Sequence, residues 1–132
     1  MRLLRRRLRP STFGPGDRTL LRNGQVVAPL AVADTTASRR RGLLGTTGLV
    51  GALWITRCPS VHMMGMRYPI DVAVVDRAGT VLLTATLRPW WGMTRFRFRA
   101  SATIEAPEGA MTAWDVRPGS VLTIGTAGTQ PV

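Results

Sequence analysis

The sequence predicts an α+β domain, compact, mostly antiparallel β and barrel-like, with one or two short helices. Three observations carry this. Apolar, β-branched runs recur along the chain, as in "VVAPLAVA", "IDVAVV" and "SVLTIG". Pairs of such runs flank tight-turn residues at Asn23-Gly24 and at Asp76–Gly79, so hairpins dominate. No internal repeat and no strand–helix–strand alternation is evident, which points away from a parallel sheet. At 132 residues the chain has the length of one domain.

Taken in order, residues 1–17 read as a basic, flexible tail that ends in the Pro/Gly-rich "RPSTFGPGD". A single domain is expected over 18–127, with a flexible C-terminus over 128–132. "RTLLRNGQVVAPLAVA" reads as two strands around Asn23-Gly24, residues that tolerate positive φ. In "DTTASRRRGLLG", Asp34 or Thr35 can cap a helix over 35–45, and Gly45 can end it. "ALWITRC" reads as a buried strand. "IDVAVVDRAGTVLLTATL" is the clearest unit, a hairpin about "DRAG". "RPWWGMTRFRFRA" is expected to be a loop entering a strand, with Arg95, Arg97 and Arg99 on one side and Phe96 and Phe98 on the other. "SATIEAP" continues as strand, "EGAMTAWDV" supplies a helical turn or two, and "SVLTIG" closes the domain after Pro118-Gly119.

The formal charge of +11 arises entirely from arginine, since the chain has no lysine. Five arginines fall in the first nine residues; the other thirteen face seven carboxylates, a net of +6. A tail of this kind can meet an acidic membrane surface through charge, whereas nucleic acid is the less favoured partner. No apolar run approaches the roughly 20 residues of a membrane span. The basic start runs into "PSTFGPGDR", not into the apolar stretch of a secretory signal. The expected location is therefore cytoplasmic or peripheral to the membrane. A single cysteine excludes an intramolecular disulfide.

"CPSVHMMGMRYPID" (58–71) holds the only cysteine and the only histidine, with three of the six methionines. Cys58, His62, Met64 and Met66 are soft ligands that would suit a cuprous ion. On an extended segment His62, Met64 and Met66 would share one face and Met63 would take the other. Methionine is also a common core filler, and that reading is preferred to a metal site. Cys58 with His62 is a candidate nucleophile–base pair, but Pro59 offers no amide for an oxyanion hole. Asp71 and Glu105 stand in apolar strands, where a carboxylate needs an arginine or several hydrogen bonds, and Arg39 or Arg41 could supply one. Trp90-Trp91 in a Pro/Gly loop suits a stacking or membrane-interface platform, or the cover of a barrel end. Phosphate-loop, zinc-protease and dinucleotide fingerprints are absent, and no cofactor is expected.

The order of these pieces resembles the uncharacterised prokaryotic family known as domain of unknown function 192. "RRRGLL" carries the family's Arg-x-x-Gly-Leu-Met helix end through Arg39, Gly42, Leu43 and Leu44, and "HMMGMRYPID" carries the loop into Pro69 and Asp71. "VVDRAGTVL" carries the hairpin, "IEAPEG" carries Glu105 and Gly109, and "VRPGSVL" the closing turn. The family's usual loop has Trp and Asn where this chain has His62 and Gly65. The resemblance spans roughly residues 18–125 and implies a mostly β, α+β domain with no established activity. It also implies an envelope setting for many members, often through a signal peptide or lipid anchor.

From the residues, the leading expectation is a non-enzymatic binding or accessory domain. Its candidate site joins Arg39, Arg41, His62, Asp71 and Glu105 near the 58–71 loop. The partner would be a small polar or anionic ligand, or a protein. An envelope or membrane-surface accessory protein recruited by the tail is the second expectation. A hydrolase or thiol enzyme using Cys58 and His62 is the third.

Overall fold

The strands form because apolar and β-branched residues alternate over short stretches, and their turns fall where the chain can bend back. A computed structural model describes residues 11–95 and 97–126. In chain order its elements are β1 (Thr12–Phe13), β2 (Arg18–Arg22), β3 (Gln25–Ala33), α1 (Thr36–Arg41), β4 (Gly48–Leu49), β5 (Ala52–Ile55), β6 (Ile70–Val75), β7 (Val81–Leu87), β8 (Ala102–Pro107), α2 (Ala110–Ala113) and β9 (Leu122–Gly125). The fold is α+β, with one curled, half-barrel sheet in the order β7-β6-β8-β5-β3-β2-β9 and two short helices. Thr12–Phe13, inside the Pro/Gly-rich stretch, pair with Gly48–Leu49 in a small parallel ribbon.

Every pair in the main sheet is antiparallel except β3–β5, whose strands are joined through α1. This one crossover escapes a reading by alternation because α1 has only six residues and a single helix makes no periodic pattern. Asn23 (φ 47°) and Gly24 (φ 85°) form the left-handed corner of the β2–β3 hairpin, as their composition predicts. The Asp76 carboxylate accepts the Ala78 and Thr80 amides and shapes the β6–β7 turn. That turn also reaches the opposite edge of the sheet. Thr80 bridges Val121, the Val81 amide donates to the Ser120 carbonyl, and the Leu122 amide donates to the Gly79 carbonyl. The sheet is thereby drawn together at one end.

The two faces of the sheet carry separate cores. One joins Leu20, Leu30, Ala73, Val75, Ile104 and Ala106 to Met111 of α2, Val116 and Leu122. The other joins Leu53, Ile55, Ile70, Val72 and Leu87 to Leu43, Met63 and Met66, which lie in loops. Because both faces of β6 are covered, all six of its residues are buried and its sequence is apolar almost throughout.

Two expectations are corrected. The helix is shorter than 35–45, because Gly42 (φ 47°) leaves the helical region and the following Leu43 turns into the core. The arginine comb does not form. Residues 95 and 97–100 are loop and turn, the Ala100 amide donating to the Arg97 carbonyl, and Phe98 is 95% exposed. Phe96 lies outside the described residues.

Candidate functional site

A cleft opens where α1, the loop after it, the 58–66 segment and β8 meet. Thr35 starts α1 with a reciprocal cap: its hydroxyl accepts the Ser38 amide, and the Ser38 hydroxyl accepts the Thr35 amide. Arg39 then docks the helix on the end of β5. Its Nε donates to the Thr56 carbonyl at 2.7 Å and its Nη2 to the Arg57 carbonyl at 3.0 Å, with Arg57 at φ 50° where the strand turns away. The helix is thus fixed so that Arg39, Arg40 and Arg41 all border the cleft.

The opposite wall is the 58–66 segment, stitched to its neighbours by backbone. The Cys58 amide donates to the Ser101 carbonyl, and the Thr103 hydroxyl donates to the Cys58 carbonyl. Val61 exchanges bonds with Thr94, and the Met63 amide donates to the Gly92 carbonyl. A turn at Met64-Gly65, closed from the Met66 amide to the Met63 carbonyl, corrects the extended reading of this stretch. It sends Met63 and Met66 together into the core and leaves Met64 62% exposed. Of the four soft groups, Met64 points outward, while Cys58, His62 and Met66 all border the cleft, His62 exposed at its rim and Met66 buried. No group of three His, Cys, Asp or Glu residues is placed to hold a metal among the described residues.

The cleft holds about 130 Å³, and Leu43, Ile55, Val61 and Met66 give it apolar walls. Glu105 contributes to its lining from β8. Its Oε2 is buried with no hydrogen-bond partner among the described residues. Burial pushes the Glu105 carboxyl up to about 7. Cys58 lies in the same cleft; burial is the main cause that pushes its thiol up, the nearby Glu105 charge adds to it, and the thiol donates to the Ser60 carbonyl.

Of the five residues expected to share a site, Arg39, Arg41, His62 and Glu105 line this cleft and Asp71 does not. Register explains the split. Glu105 lies opposite Val72 and Leu53, and Asp71 lies opposite Ala106, so the two carboxylates leave opposite faces of the sheet. Asp71 is occupied there: its Oδ1 accepts the Thr86 hydroxyl at 2.7 Å and its Oδ2 accepts the Met111 amide at 3.1 Å, tying α2 to β6.

A second surface borders the cleft, and the sequence did not reveal its continuity. Trp90 and Trp91 are exposed, Trp91 by 89%. The Trp90 amide donates to the Met63 carbonyl and Met93 bridges His62, which sets both tryptophans beside the exposed Met64 and Met93. Leu44, also exposed, approaches the same turn at Gly65. Leu44, Met64, Trp90, Trp91 and Met93 are scattered over 50 residues of chain, so only pairing of the two loops unites them.

The sequence profile of the family described as DUF192, "Uncharacterized ACR", matches residues 19–124. No curated protein matches. Among solved structures, a protein of unknown function from Novosphingobium aromaticivorans DSM 12444 is similar, with a TM-score of 0.64 and 20% identity over 75% of this chain and 76% of that one. A protein from Sinorhizobium meliloti 1021, whose description proposes a transcription regulator, is similar with a TM-score of 0.61 and 16% identity, over 81% of this chain and 93% of that one. At such identities the likeness is one of fold.

Proposed function

We propose a binding role for a chain that belongs to the family of domain of unknown function 192. It is a small accessory domain that takes a small polar or anionic ligand in the cleft between α1 and the 58–66 segment. The observation that carries this reading is convergence: Arg39 and Arg41 from α1, His62 from a loop and Glu105 from β8 line one concave space. Arg40 and Arg41 have no ion-pair partner among the described residues, so their donors are available to a carboxylate or phosphate.

The thiol-enzyme reading has less support. The nucleophile of such an enzyme is a thiolate, and the burial and neighbouring carboxylate of Cys58 both favour the neutral thiol. The exposed rim favours a second reading, contact with an anionic lipid surface. Tryptophan suits the interface of water and lipid, and Arg67, Arg88 and Arg95 stand exposed in the same two loops. No helix among the described residues is long and apolar enough to cross a membrane.

The leading reading is tested by thermal shift with sugar phosphates, nucleotides and dicarboxylates on wild type, Arg41→Ala and His62→Ala. A ligand that raises the melting temperature of wild type, and less so that of the variants, is the expected result. Equal shifts in all three proteins, or none in wild type, would remove the cleft from consideration as an anion site.

A further inference from the structure

We propose that the cleft's ligand is a small zwitterion of the amino-acid class, with an ammonium group on Glu105 and a carboxylate or phosphate held at the mouth by Arg40 and Arg41. The inference rests on the cleft being a binding site and names what it would bind. Glu105 is the reason for both poles. Its lateral neighbours across the sheet, Leu53 and Val72, are apolar. Its Oε2 is buried without a partner, and none of the arginines pairs with it among the described residues. An ionised carboxylate has only acceptor sites, so whatever satisfies it must donate, and a cation also compensates its buried charge.

Arg39 does not fill that role, because its guanidinium serves the Thr56 and Arg57 carbonyls. The cleft therefore has an acidic, apolar-walled floor and a cationic mouth. A simple carboxylate would satisfy the mouth and face Glu105 as a like charge. A simple amine would satisfy the floor and face the arginines. A molecule carrying both groups meets both, and the space of about 130 Å³ suits one of amino-acid size.

The protonation of the floor gives this pairing a direction. With the Glu105 carboxyl raised to about 7, an ammonium ligand finds its ionised partner more often at pH 8 than at pH 6. The other charged or titratable groups near it are Arg39, Arg40 and Arg41 from α1, Cys58 and His62 from the facing wall, and Tyr68. Cys58 and Tyr68 are both pushed above their ordinary values, hence neutral. His62→Ala separates any contribution of the imidazole from that of Glu105.

The experiment is calorimetric titration of the whole chain at pH 6 and pH 8 with matched pairs that differ in the amine: alanine against propionate, 4-aminobutyrate against butyrate, phosphoethanolamine against ethyl phosphate. In at least one pair the amino member should bind about tenfold or more tightly, more so at pH 8. Glu105→Gln, a neutral isostere, should abolish that preference, and His62→Ala should keep it. Equal binding of both members, or a preference that survives Glu105→Gln, overturns the zwitterion and leaves an anion site. Silence from every pair at millimolar concentration overturns it too. The broader reading fails separately, on the sugar phosphates, nucleotides and dicarboxylates.

Discussion

At the scale of the residue, Glu105 and Asp71 show how differently two buried carboxylates can be used. Asp71 has two donors, Thr86 and Met111, and joins two elements. Glu105 has an oxygen with none among the described residues, and a buried polar group without a partner costs stability. The cost depends on pH. The folded-state carboxyl titrates near 7, above its ordinary value of 4.5, so between those values the folded protein holds more proton than the unfolded one. Stability contributed by the neutral acid is full below about 4.5 and is lost as pH rises through about 7, up to about 3 kcal/mol in all. Glu105→Gln should therefore raise stability at pH 8 by about 1–3 kcal/mol and flatten the decline between pH 5 and pH 8. Urea unfolding at both pH values measures this. A variant that is less stable than wild type at pH 8 would mean that the carboxylate has a stabilising partner.

At the scale of the element, the β6–β7 turn does two things: it reverses the chain and holds the two edges of the sheet together. Gly79 is central to the second. It adopts φ 84°, and a Cβ there would stand 2.2 Å from the Leu122 carbonyl oxygen. Gly24 has nearly the same φ, 85°, but open space around it. Gly79→Ala should thus cost about 2 kcal/mol or more, through strain and the displaced β9 contact, and Gly24→Ala only about 1 kcal/mol. The amides of Val81 and Leu122, which cross between the edges, should lose hydrogen-exchange protection in Gly79→Ala alone. Similar costs at both glycines would show that closure of the sheet contributes little. The capping of α1 belongs to this scale as well: a six-residue helix is too short to persist by itself, so Thr35 at one end and the Arg39 anchor fix where Arg40 and Arg41 stand.

At the scale of the whole molecule, the apolar rim and the charged cleft lie side by side, and the chain as a whole is strongly cationic. If the rim meets lipid, the double substitution Trp90→Ala/Trp91→Ala should weaken co-sedimentation with vesicles of phosphatidylcholine and phosphatidylglycerol several-fold. The melting temperature should stay the same, since both rings are exposed in the folded state. Binding that is indifferent to these tryptophans, or to the anionic lipid, would assign the rim to another partner. Residues 1–10 lie outside the described residues, and their contribution is read by comparing vesicle binding with and without them.

The sequence by itself determined the strands of the main sheet, the Asn23-Gly24 and Asp76–Gly79 turns, a helix cap at Asp34 or Thr35 and the overall α+β class. Each depends on residues within a few positions of one another, where propensity and φ preference act directly. It also placed Arg39, Arg41, His62, Asp71 and Glu105 together as candidates on their chemistry, and four of the five line one cleft. Tertiary structure alone decided that Glu105 faces the cleft and Asp71 the other side, because that depends on register between strands more than 30 residues apart. It decided that Met63 and Met66 are core, through one turn that breaks the alternation of an extended chain. It decided that Arg95 and Arg97–Ala100 are loop and turn: they pair with no strand among the described residues, and alternation without a neighbour to bond does not make a sheet. It also gathered Leu44, Met64, Trp90, Trp91 and Met93 into one surface, a union set by contacts between loops that no local pattern encodes.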